Sequence, residues 1–112
     1  MTAKQRQTEQ VQRWAGALAR ECGGLGGGVE TSADVRRLVE EIQAVSTMTQ
    51  LKRTARVLIE AVESAWRAHG INDGFQFYLN FRLSECRRHG VIDGAYYWCK
   101  VEIAQLLPQL AA

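Results

Sequence analysis

Proline occurs once, histidine twice and cysteine three times in this 112-residue chain. No apolar run approaches the roughly 20 residues that a membrane span requires, so no membrane partner is expected. Cys22, Cys86 and Cys99 form no CxxC pair. An odd cysteine count, behind an N-terminal MTAKQRQTEQ that lacks the apolar core of a secretory signal, reads as reduced thiols in a cytoplasmic protein. The formal net charge of +2 is too small to imply a nucleic-acid or membrane partner by itself. No stretch alternates polar and apolar residues as a half-buried strand does. What remains is an all-α protein, one domain over residues 1–112, with no cofactor and no metal expected.

The helices follow from apolar spacing. Val11, Trp14, Leu18 and Cys22, with Ala15 and Ala19 beside them, predict a first helix over residues 3–22. A glycine-rich stretch, residues 23–28, ends it and reads as a flexible linker to a helical core over 29–112. It is no phosphate-binding loop, having neither a preceding buried strand nor a Lys-Ser/Thr ending. A linker of this kind also lets the first helix exchange with a second copy. Thr31, with Asp34 three residues on, predicts the cap of a second helix whose stripe is Val35, Leu38, Val39, Ile42 and Val45. Thr47 caps a third, running to about His69 with Met48, Leu51, Ala55, Leu58, Ile59, Val62 and Trp66 on one face.

The segment Trp66–Trp98 holds eight of the nine aromatic residues and carries one stop–start phrase twice: His69-Gly70-Ile71-Asn72-Asp73-Gly74 and His89-Gly90-Val91-Ile92-Asp93-Gly94. Gly70 and Gly90 are the expected left-handed residues after a helix, with Ile71 and Val91 as the hydrophobic contacts of Schellman endings. Asp73 and Asp93 are the expected caps of a fourth helix, to about Arg88, and a fifth, to about Leu107, where Pro108 stops it. The short connections predict an antiparallel up-down-up sheaf of the last three helices within a bundle of about five. In that sheaf Cys86 and Cys99 would face each other as small buried apolar residues.

The last two helices are apolar over more of their circumference than surface helices are. Phe77 and Phe81 project nearly opposite Phe75, Leu79, Leu83 and Cys86, and Tyr96, Tyr97 and Trp98 spread around the fifth helix. Helices of that kind need cover on two sides. Phe77, Phe81, Tyr96, Tyr97 and Trp98 are therefore the candidate interface to a protein partner or a second copy. The expected function is that of a non-enzymatic adaptor, inhibitor or regulatory subunit.

Two other classes compete. Lys52, Arg53, Arg56, Arg87 and Arg88 could form a basic surface at the helix ends for a nucleic acid, although Glu60, Glu63 and Glu85 dilute it. Arg82 followed by His89 resembles the Rx4–6H signature of the HEPN family, all-α dimers of which many are metal-independent ribonucleases. That resemblance implies Arg82 as phosphoryl stabiliser and His89 as proton carrier; Leu83 stands where that family commonly has a polar residue. The run Gly70-Ile71 through Phe75-Gln76-Phe77 is similar to a G-L-x-x-x-L-x-F stretch in the small helical subunit of type III CRISPR effector complexes. That likeness implies an all-α subunit lining a nucleic-acid groove without catalysis. Beside a helix-ending glycine, His69 and His89 read first as helix-end residues. Cys86, His89 and Cys99 would make an incomplete metal site, lacking a fourth ligand.

Overall fold

The computed structural model describes residues 2–23 and 32–111. Among these, every regular element is an α-helix: α1 (Ala3–Gly23), α2 (Ala33–Gln43), α3 (Met48–Ala68), α4 (Phe75–Arg88) and α5 (Ala95–Leu110). The extents, 45 × 34 × 23 Å, make the bundle about two helices thick. The predicted Thr31 cap and residues 24–28 of the predicted linker lie outside the described residues, and α1 runs one residue into that linker, through Gly23.

The predicted stripes are the core. Val11, Leu18 and Cys22 of α1, Val35 and Ile42 of α2, and Leu51, Leu58 and Val62 of α3 are all fully buried. The hub is α1, which packs against α2, α3 and α5. It buries Ala15, Ala17 and Ala19 as well as its main stripe, so its neighbours approach closely from several sides. Burial on two sides thus falls to α1, where the sequence pattern had pointed to α4 or α5. The close helix neighbour of α4 is α5, whereas α3 packs on α1, α2 and α5.

Both glycine stops form as expected. Gly70 (φ 81°) and Gly90 (φ 70°) are left-handed. The Ile71 and Gly70 amides donate to the Trp66 and Arg67 carbonyls at 2.9 and 3.0 Å, and those of Val91 and Gly90 to Cys86 and Arg87 at 2.7 and 3.2 Å. These are two complete Schellman motifs. Three caps differ. Ser32 caps α2, accepting from the Val35 amide. Neither Asp73 nor Asp93 caps a helix: Gly74 and Gly94 hold the cap positions, and neither has a side-chain cap. At α4 the acceptor comes from the preceding helix, with Glu63 Oε2 taking the Phe75 amide at 3.0 Å. A carboxylate there is favoured by the helix dipole, and a Cβ on Gly74 would stand 3.3 Å from that oxygen.

Pro108 does not end α5, which continues to Leu110. The ring forfeits one late hydrogen bond. Against that loss, Leu107 and Leu110 pack on the core, and the Arg56 guanidinium donates twice to the Leu110 carbonyl, at 3.1 and 3.0 Å.

Candidate interaction face and the polar cluster beneath it

On α4 the inward arc is Phe75, Leu79, Leu83 and Cys86, all buried. The outer arc carries Phe77 and Phe81, 62% and 52% exposed and one turn apart. The remaining exposed positions beside them, Gln76, Asn80 and Ser84, are uncharged, and the Gln76 amide nitrogen donates to Asn80 Oδ1. The exposed positions from Gln76 to Ser84 therefore carry no charge, and Glu85, one turn beyond Phe81, closes the row.

The other three predicted interface residues have different settings. Tyr96 is 46% exposed, with its ring over Lys100 and beside Arg82. Trp98, 54% exposed, lies two positions further on, about 200° around α5. Tyr97 departs from the prediction, since it is half-buried against the core and meets the Trp98 ring edge-on at 5.5 Å.

Between α1, α4 and α5 lies a cluster that the apolar pattern did not disclose. Lys100 is 0% exposed and its Nζ stands 2.8 Å from Glu21 Oε2, the Glu21 side chain being 9% exposed. The other Glu21 oxygen, Oε1, accepts from the Tyr78 hydroxyl at 2.9 Å. The Tyr96 ring centroid lies 3.4 Å from Lys100 Nζ, closing a cation–π contact. Arg82 is flanked by the Tyr78 and Tyr96 rings at 5.7 and 5.8 Å, and its Nε is buried without a hydrogen-bond partner. One signal could have found this cluster: Lys100 is an isolated charge four residues after Tyr96 and three before Ile103, on the arc of α5 that faces the core. A charge placed there must have a partner.

Burial, and then the neighbouring Glu21 carboxylate and its hydrogen bond, push the Tyr78 hydroxyl up to about 12. A pKa raised on folding contributes stability that is complete below the unfolded value near 10 and lost as pH climbs to the folded one. The protein is therefore expected to lose stability between about pH 10 and 12, and Tyr78→Phe to flatten that loss. Urea midpoints of both proteins across this window test it, and parallel declines would count against Tyr78 as the source. The same cluster quiets two cysteines. Burial first, then the Glu21 charge, raises the thiols of Cys22 and Cys99. Cys99 donates to the Ala17 carbonyl on α1 at 3.0 Å, so its thiol is turned toward the hub.

Arg82 and His89 are not brought to a common point. They are seven residues, about 10 Å, apart along α4; Arg82 engages the tyrosines, while His89 caps the helix end and faces Glu85 at 3.4 Å. The basic residues are likewise divided. Arg56 holds the last carbonyl of α5, with Lys52 and Arg53 up to a turn before it on α3, while Arg87 and Arg88 lie just before the opposite end of α5, about 24 Å away. Arg88 is also paired with Glu85 at 2.6 Å. Of the Gly70–Phe77 run, Gly70 and Ile71 form the helix stop, Phe75 is buried against Trp66, and Gln76 and Phe77 face out from the helix it starts. Among the described residues no three His, Cys, Asp or Glu side chains group as metal ligands would, and no helix is long and apolar enough to cross a membrane. No family model, curated protein or solved structure matches the chain.

Proposed function

We propose that the chain is a small non-enzymatic helical interaction protein that engages another protein surface through the outer arc of α4. One observation carries this reading: Phe77 and Phe81 stand more than half exposed on consecutive turns, and the other exposed positions beside them, Gln76, Asn80 and Ser84, are uncharged. Aromatic side chains are over-represented in the buried centres of protein interfaces, and removing them from water is the main gain available to such a surface. Trp98, on the far side of α5, offers a second anchor for a larger partner. The polar cluster supports the reading from below, because Glu21 ties Tyr78 of α4 and Lys100 of α5 to the hub helix. The face is thus presented on a fixed support, which lowers the ordering cost of binding.

The test compares proteins retained from native-cell lysate by the immobilised chain and by Phe77→Ser/Phe81→Ser. Retention of at least one protein, a copy of the chain included, is expected to fall about tenfold or more in the double variant. Equal retention by both would remove the basis of the proposal. Both positions are exposed, so the helical circular dichroism of the variant is expected to be unchanged.

A further inference from the structure

The arrangement of charge along α4 says which partner the face fits. Asp73 precedes the helix and Arg87 lies in its last turn, both exposed. Among the described residues neither side chain has an ion-pair or hydrogen-bond partner, whereas the neighbouring Arg88 and His89 are already engaged by Glu85. The acid and the free base are at opposite ends; between them the exposed positions from Gln76 to Ser84 are uncharged, while Arg82 lies against the tyrosines and Glu85 is paired with Arg88. A surface patterned in this way is complementary to itself turned end for end.

We infer that the occupant of this face is a second copy of the chain, bound α4 against α4 in antiparallel fashion about a two-fold axis. This rests on the reading of the outer arc of α4 as an interface, and it adds the identity and orientation of the partner. With the axis level with Asn80, Asp73 lies seven residues to one side and Arg87 seven to the other. Asp73 of each subunit then comes level with Arg87 of the partner subunit. On a rise of about 1.5 Å per residue, Phe77 is about 4.5 Å from the axis level and Phe81 about 1.5 Å on the other side. The four phenyl rings of the two copies therefore alternate roughly every 3 Å along the seam, as side chains do when they interleave. Asn80 meets its own copy on the axis, and an amide both donates and accepts. The helix dipoles also oppose each other in this orientation. A parallel pair would set Asp73 against Asp73 and Arg87 against Arg87, which like-charge repulsion disfavours. A single short helix contributes limited area, so the dimer belongs to the weak, concentration-dependent class.

Sedimentation equilibrium of the purified full chain at micromolar concentrations tests this. The wild type is expected to self-associate to a dimer, and Phe77→Ser/Phe81→Ser to weaken it about a hundredfold. Asp73→Arg and Arg87→Asp are each expected to weaken it about tenfold, and the combined Asp73→Arg/Arg87→Asp to restore it to within a few-fold of the wild type. Restoration singles out the antiparallel pairing, because in a parallel dimer the combined variant would still oppose like charges. A dimer that ignores the charge variants, or one that the combined variant fails to rescue, overturns the inference. A strictly monomeric wild type overturns it too. If the lysate comparison then still depends on Phe77 and Phe81, the face is an interface for a different protein. If that dependence is also missing, the interface reading fails with it.

Discussion

Glu21→Ala is expected to lower the free energy of unfolding by about 3–5 kcal/mol, a large share of the roughly 5–15 kcal/mol that holds a domain of this size together. The reason lies less in the attraction lost than in the charge left behind. Lys100 Nζ has Glu21 Oε2 at 2.8 Å and the Tyr96 ring for company, and the side chain has no exposure through which to reach water. Without Glu21 the ammonium stays buried with only a ring face to receive it, or α5 must shift to let water in. The Tyr78 hydroxyl loses its acceptor in the same stroke. Replacing both members by apolar residues of similar size, Glu21→Leu/Lys100→Met, is expected to recover most of the loss, since desolvation cancels much of what a buried pair gains. Urea denaturation of the three proteins measures both effects. A cost below about 1 kcal/mol for Glu21→Ala would mean that Lys100 finds other solvation, and the account of the cluster would be wrong.

Trp66→Ala is expected to cost a similar amount, about 3–5 kcal/mol, by a different route. Trp66 is 4% exposed, stacks on Phe75 with centroids 5.9 Å apart and meets the Tyr78 ring at 4.9 Å. Its carbonyl also receives the His69 and Ile71 amides at the end of α3. This one residue joins α3 to α4 through its side chain and shapes the intervening turn through its backbone. Truncation leaves a cavity that rigid rings fill poorly, and it falls under α4, whose closest helix packing is otherwise with α5. The damage should therefore be uneven. Hydrogen exchange in the Trp66→Ala protein is expected to rise more at Leu79 and Leu83 than at Leu18 and Leu58. Uniform acceleration would show that α4 opens only with the whole bundle.

The parts of this structure legible in the sequence are those decided within a few residues. Gly70 and Gly90 stop helices because only a left-handed residue lets the next amide reach back, and Thr47 caps α3 through its own hydroxyl. The stripes from Val11 to Trp66 were readable because burial on one helix face repeats every three to four residues. What escaped was decided from afar. Asp73 is a plausible cap by its position, yet Glu63, 12 residues before Phe75, takes the amide because α3 passes alongside. Pro108 signals a stop, but the contacts of Leu110 and the reach of Arg56 across 54 residues outweigh it. Apolar breadth marked α4 and α5 as central, while the alanines of α1 gave no comparable signal, although small side chains are what allow helices to crowd around it. The outward placement of Phe77 and Phe81 was legible from their angle on α4, whereas Tyr97 is half-buried against the core through packing that periodicity does not encode.

The hub position of α1 bears on the order of events during synthesis. Of the five helices among the described residues, α1, which packs on α2, α3 and α5, is synthesised before the others, and α5 after them. Lys100 is separated from Glu21 by 79 residues and Cys99 from Ala17 by 82. Helical proteins of this size ordinarily fold fast because their contacts are local. Here the contacts of Glu21 with Tyr78 and Lys100 form only once α4 and α5 have emerged from the ribosome. A nascent chain in that condition offers a sticky amphipathic helix to its surroundings for seconds, since elongation proceeds at only about 5–20 residues per second.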